Sequence, residues 1–314
     1  MDRPPLEIDV TLVPAPDRAA TPAAFVVVID AVDRIAFHDW GGPPTEDRPV
    51  LLIHGLSATA WSWAPVARRL ASVRHVVAMD LRGHGISDAP THGYDPDTLT
   101  EDAVAVADGA GLLAAGPLVV AGHGFGAIVA AWTAAVLGPS CAGLVLVDGG
   151  WESLEAASAM DVEEFLRGLD EPPEVLRSMD AYLADRRGYD PGTWDADQER
   201  AARDGVVETA AGHVVRAVRP FVVEAIVRTM FAYDPGAVVP SLAAPVAALV
   251  ALGAGHADAR LAELRRTAAA RVAAGRDPVR VAGFPADAHN LMRYRPAEVT
   301  AAILEVGEAP EAPR

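Results

Sequence analysis

The chain predicts a mostly parallel, doubly wound α/β sheet interrupted by a helical insertion, and three observations carry that prediction. Short unbroken apolar runs recur, helix-length segments separate them, and the alternation stops between residues 151 and 240 before resuming. Runs of Val, Leu and Ile without polar alternation suit strands covered by helices on both faces, because such strands have no solvent side.

The elements follow in order. Residues 26–29, 50–53, 76–79, 118–120 and 144–147 read as strands, with helices expected at 61–71, 99–113 and 125–137 between them. From 151 onward the chain becomes charged. It carries Asp170-Glu171-Pro172-Pro173 and Asp190-Pro191-Gly192 as breakers, shows helix-like pieces at 162–169 and 214–230, and offers no strand run. The rhythm returns with strands at 247–252 and 279–282 and helices at 259–274 and 296–306. Residues 1–150 therefore read as the first part of an α/β core. Residues 151–240 read as a helical cap and 241–314 as the second part of the core.

Composition bounds the chemistry. With 314 residues and 51% hydrophobic content, the chain is large enough to bury a substantial core. Its 43 acidic against 26 basic residues give a net charge of −17, which disfavours nucleic acid or an anionic membrane as a partner and favours a small molecule. Every basic residue is arginine, so a Schiff-base lysine and a Walker-type phosphate loop are excluded. Cys141 is the sole cysteine, which rules out an intrachain disulfide and a thiolate cluster and fits a cytoplasmic setting. It joins a helix to a strand and reads as structural. The start, Met1-Asp2-Arg3-Pro4-Pro5, lacks the apolar core of a signal peptide, and no apolar run is long enough to span a bilayer. No pair of histidines has metal-ligand spacing, so neither a metal nor any other cofactor is expected.

Four local motifs carry functional information. Pro117-Leu118-Val119-Val120 leads through Ala121-Gly122-His123-Gly124-Phe125-Gly126-Ala127 into an apolar helical stretch: a strand, a Gly-spaced turn and a helix. Such a turn projects its central side chain from the sheet edge. Here that position is Gly124. Val50-Leu51-Leu52-Ile53-His54-Gly55-Leu56 is a strand ending in His-Gly, and Met79-Asp80-Leu81-Arg82-Gly83-His84-Gly85-Ile86-Ser87-Asp88 follows the next strand, where His84 and Asp88 read as loop-shaping. Phe284-Pro285-Ala286-Asp287-Ala288-His289-Asn290-Leu291 places a histidine between the last strand and a Pro-started helix. An imidazole there can accept and return a proton near neutral pH.

Organisation and motifs together resemble the α/β-hydrolase fold over nearly the whole chain. The resemblance implies a nucleophilic serine where Gly124 stands, an oxyanion hole from the backbone N–H groups of Leu56 and Phe125, and His289 as catalytic base. The acid has two candidates. Asp258 follows the strand at 247–252 across Gly253-Ala254-Gly255-His256-Ala257, whereas Asp148 ends the preceding strand, an acid location in some branches; either can instead be a helix cap or turn former.

Without a hydroxyl at Gly124 no acyl-enzyme forms there. Two readings follow: a cofactor-free enzyme acting on a small, largely apolar carbonyl compound through His289 and the oxyanion site, or a catalytically inactive ligand-binding pseudoenzyme. Ser57, beside the oxyanion segment, reads as a helix-entry residue rather than a displaced nucleophile. Trp61, Trp151 and Phe125 are the expected pocket-lining aromatics, and Arg216, Arg219 and Arg228 face either a substrate carboxylate or solvent.

Overall fold

The computed structural model describes residues 8–29, 32–43, 48–169, 178–253, 257–285 and 288–308. Asp170-Glu171-Pro172-Pro173, Ala286-Asp287 and 254–256 lie outside them. The described residues form ten strands: β1 Ala23–Ile29, β2 Asp33–Gly41, β3 Val50–Ile53, β4 Val76–Met79, β5 Leu118–His123, β6 Cys141–Val147, β7 Val206–Glu208, β8 Val214–Arg216, β9 Val246–Ala251 and β10 Arg280–Phe284. Eight of them form one sheet in the order β1-β2-β4-β3-β5-β6-β9-β10. From β4 to β10 every pairing is parallel, while β1 with β2 and β2 with β4 pair antiparallel.

The continuous apolar strands have the two covered faces that their composition requires. Leu51, Ile53, Val77, Met79, Val120, Leu144 and Leu146 enter one buried cluster with the helices Pro96–Gly109 and Phe125–Leu137. Their alternates Val50, Leu52, Val76, Ala78, Val119, Val145 and Val147 enter a second, against the helices Ala64–Leu70 and Pro296–Gly307. Each fully buried Leu, Ile or Val removes enough apolar surface from water to contribute roughly 1.5–3 kcal/mol.

Strand β2 escaped the sequence reading, because Asp33, Arg34, His38 and Asp39 break up its apolar run. It is nevertheless the covered neighbour of β4 and buries His38. The helix expected at 99–113 ends sooner, since Gly111 turns left-handed (φ 74°) before the short helix Leu112–Ala115. Its other end starts on Pro96 and is capped by Asp95, whose carboxylate accepts the Thr98 N–H at 3.0 Å.

Between β6 and β9 the chain runs through the helices Leu154–Ser158, Val162–Leu169, Met179–Tyr189, Ala196–Asp204, Pro220–Phe231 and Pro235–Val238. Two corrections apply here. The stretch does contain strands, the small antiparallel hairpin β7–β8. The helix expected over 214–230 is a strand followed by a helix, because Pro220 sits at the first helical position, where it opens a helix rather than continuing one. No helix among the described residues is long and apolar enough to cross a membrane.

Candidate active site

The parallel strands end at one edge, and four of them bring the predicted residues together there. The β5–β6 register places His123 beside Val147, so Gly124 and Asp148 leave adjacent strands side by side. The β3–β5 register places Ile53 beside Gly122, which sets the His54-Gly55-Leu56 turn next to the elbow. His289 arrives from beyond β10.

The elbow owes its sharpness to close backbone approach. A Cβ on Gly122 would lie 2.1 Å from the Gly126 carbonyl oxygen, and one on Gly126 would lie 2.3 Å from that of His54, so neither position accepts a side chain. Gly124 itself adopts φ 54°, ψ −117°, with its N–H held by the Val147 carbonyl at 3.0 Å. That conformation strains any residue bearing a Cβ. A Cβ built on Gly124 would point at His289, 3.2 Å from Nε2.

Of the two candidate acids, Asp148 meets the histidine. Its Oδ2 accepts the His289 Nδ1–H at 2.6 Å. Asp148 is buried and has a positive φ of 48°, which turns its side chain toward the loop after β10. Oδ1 accepts from the Ala251 N–H at 3.0 Å and from Arg260 Nη1 at 2.9 Å. Burial alone would raise the pKa of this carboxyl, but the hydrogen bond from His289, the Arg260 charge and the Ala251 N–H outweigh it and hold the group below the usual carboxylate range. Asp258 is corrected as the acid partner. It is exposed in the first turn of the helix Ala257–Ala273 and makes no hydrogen bond to His289 among the described residues.

Three further histidines surround the site, all buried. Leu81 N–H donates to His54 Nε2 at 3.0 Å, which fixes the proton on Nδ1, and that N–H reaches the Gly55 carbonyl at 2.8 Å. By the same logic His84 accepts from Ser57 N–H at 3.2 Å and donates to the Arg82 carbonyl at 3.1 Å. His84 thus clamps the turn that presents Leu56. Burial lowers His54 to about 4 and His84 and His123 to about 3, so all three are neutral at physiological pH. His123 Nε2–H donates to the His289 carbonyl at 3.0 Å, anchoring the loop, and the two rings lie 4.3 Å apart. The His289 side chain is the accessible one, 55% exposed against 1% for Asp148.

The N–H groups of Leu56 and Phe125 have no acceptor among the described residues. Phe125 begins the helix Phe125–Leu137, where an N–H has no intrahelical partner. No hydroxyl or thiol among the described residues shares a hydrogen bond with His289. Ser57 is exposed, with its backbone N–H on His84, and Cys141 lies at the opposite end of β6, where burial pushes its thiol up to about 11.

The aromatic expectations fare differently. Trp151 has no exposed surface; it belongs to the core, with Arg260 5.3 Å from its ring centroid, and does not line an open site. The Phe125 side chain is likewise core. Trp61 is half-buried against His38, Trp40 and Arg200 rather than beside His289. Arg228 is spent on Glu163 and Glu224 at the surface.

Two residues went unnoticed in the sequence. Arg260 bridges Asp148 to Glu152, reaching Glu152 Oε1 at 3.1 Å from Nε and 3.0 Å from Nη2. Glu152 Oε2 is buried without a hydrogen-bond partner, and burial pushes this carboxyl up to about 7 against the pull of Arg260. Only the position of Glu152, four residues past Asp148, offered a signal.

A mostly parallel sheet that carries a histidine–aspartate pair beside a strand–turn–helix elbow defines an α/β hydrolase. The chain belongs to the alpha/beta hydrolase family, whose model matches residues 50–303. Among curated proteins it is 39% identical over 92 residues to epoxide hydrolase 4 of Mus musculus, covering 29% of this chain and 24% of that protein. It is 28% identical over 138 residues to 2-(acetamidomethylene)succinate hydrolase of Mesorhizobium japonicum, covering 44% and 48%. The matched stretches thus span less than half of these relatives. Among solved structures, E-2-(acetamidomethylene)succinate hydrolase superposes with a TM-score of 0.70 at 21% identity, over 91% of this chain and 98% of that one. The thioesterase domain from the curacin biosynthetic pathway superposes with a TM-score of 0.67 at 21% identity, over 90% and 99%. At these identities the superpositions show the fold.

Proposed function

We propose that this protein is a cofactor-free hydrolase of small carbonyl compounds in which water, activated by His289, takes the part that a serine plays in related enzymes. The supporting observation is the Asp148–His289 hydrogen bond of 2.6 Å with Nε2 turned to the side-chain position of Gly124.

The reaction needs only the residues named above and water. A water beside Gly124 gives its proton to His289 Nε2 while its oxygen attacks the substrate carbonyl. Leu56 and Phe125 N–H groups stabilise the oxyanion, and the imidazolium, steadied by Asp148, returns the proton to the departing alcohol or amine. The bond from carbonyl carbon to leaving group breaks, and no covalent enzyme intermediate forms. The helices between β6 and β9 act as the cap of this site. The relative from Mesorhizobium japonicum is named as a hydrolase of 2-(acetamidomethylene)succinate, a small molecule.

The test is hydrolysis of a panel of small esters, lactones and amides in H₂¹⁸O. Single-turnover label should enter the acid product, and His289→Ala should lower kcat/KM by roughly a hundredfold or more. Turnover untouched by His289→Ala overturns the mechanism. Saturable binding of the panel without any turnover identifies a ligand-binding pseudoenzyme instead, a reading that the strain-free Gly124 would then favour.

A further inference from the structure

Outside the active site, one cavity of about 330 Å³ lies where the N-terminal segment, the helix Ala64–Leu70, the segment Arg293–Pro296 and the start of the helix Ala196–Asp204 meet. Four arginines line it, Arg18, Arg68, Arg69 and Arg293, against two carboxylates, Asp195 and Asp197. That is an unexpected concentration of positive charge on a chain whose net charge is −17.

The partners divide the arginines into two kinds. Arg68 is locked by a two-pronged pair with Asp197, Nε to Oδ2 and Nη2 to Oδ1 both at 2.9 Å, and its other end meets the Ala20 carbonyl. Arg293 is fixed by Thr193 Oγ1 at 2.6 Å and the Asp190 carbonyl at 3.0 Å. Asp195 is occupied as the helix cap, accepting the Gln198 N–H at 3.0 Å. Arg18 and Arg69 make no ion pair with a carboxylate among the described residues. Arg69 donates to the Pro65 carbonyl at 2.6 Å. Half-buried, its guanidinium is disfavoured first by burial and then by the neighbouring Arg18 charge, against the opposing pull of Glu298.

We infer that this cleft is a binding site for a small phosphate-bearing ligand. Two guanidiniums that line one cleft without an ion pair to a carboxylate among the described residues suit a single compact dianion, and a phosphate group carries about −1.5 to −2 at neutral pH. A dicarboxylate spreads its charge over two separated groups. The guanidinium fork matches phosphate oxygens in pairs, and Arg68 and Arg293, held by the Asp197 and Asp190 carboxylates, give the cleft a fixed wall beside Arg18 and Arg69. The site is independent of the proposed hydrolysis, so its test reads binding and not activity.

Isothermal titration at constant ionic strength with inorganic phosphate, glycerol 3-phosphate and succinate decides the matter. Saturable binding of phosphate should weaken by roughly tenfold or more in each of Arg18→Gln and Arg69→Gln and stay unchanged in Arg265→Gln, an exposed arginine on another helix. Tighter binding of glycerol 3-phosphate assigns an organic phosphate, and tighter inorganic phosphate assigns the free anion. Arg18 is exposed, so its variant folds whatever becomes of Arg69→Gln. Succinate binding as tightly as phosphate, equal phosphate binding in all three variants, or no saturation in the wild type overturns the inference.

Discussion

Asp148 and His289, 141 residues apart in the chain, are joined by a 2.6 Å hydrogen bond that leaves the second imidazole nitrogen facing Gly124. That relationship makes the absence of a side chain at Gly124 the most testable feature of the molecule.

Gly124→Ser places a hydroxyl beside the base. The variant should become reactive toward a fluorophosphonate probe and acquire measurable hydrolysis of an activated aryl ester, whereas the wild type remains unlabelled. The backbone at φ 54° should cost about 1–3 kcal/mol, read as a lower melting temperature. A folded but unlabelled Gly124→Ser protein would show that the dyad cannot activate an oxygen there.

Arg260 neutralises two carboxylates in a buried place. Removing one partner of such a group leaves unpaired charge, so Arg260→Met should lose roughly 3–5 kcal/mol in urea unfolding. Adding Glu152→Gln removes one of the stranded carboxylates and should recover part of that loss. Strict additivity of the two substitutions would deny the coupling.

The stability of the protein should depend on Glu152 in a definite direction. Its carboxyl is pushed up to about 7 in the folded protein against an ordinary value of 4.5, so the folded state holds this proton more tightly than the unfolded chain. The contribution is fully present below pH 4.5 and is lost as pH rises through about 7. Glu152→Gln should flatten this part of the stability profile, and an unchanged slope between pH 5 and 8 would contradict the assignment.

The elbow glycines should be intolerant of the smallest substitution. Gly126→Ala brings a methyl within 2.3 Å of one backbone carbonyl oxygen and 2.4 Å of a second, and should prevent folding or lower the melting point steeply. Gly168→Ala, in open space on the helix Val162–Leu169, should be neutral or stabilising by about 0.5–1 kcal/mol. Equal effects at the two positions would refute the close-approach argument.

How much of this was legible beforehand differs from element to element. Strands β3 and β4 match their predicted bounds because an unbroken apolar run has one low-energy outcome, burial on both faces. Strand β2 was missed because its charged residues hide a burial that only β4 and β1 provide. Pro220 and Gly111 altered helix boundaries through local backbone restrictions that hydrophobic periodicity does not register. Gly124, Leu56, Phe125 and His289 could be named as candidates because a strand, a sharp turn and a helix leave a local pattern in the chain.

Sequence alone determined the fold class, the elbow and the missing side chain at its centre, since each depends on residues near one another along the chain. Only the tertiary structure decided that Asp148 rather than Asp258 meets His289, that Arg260 and Glu152 stand behind that pair, that Trp151 is core, and that Arg18 and Arg69 share one cleft. Hydrogen bonds and charge pairs act over a few ångströms of space, and the distance between two residues across a sheet edge is set by strand order and register, which no local pattern encodes.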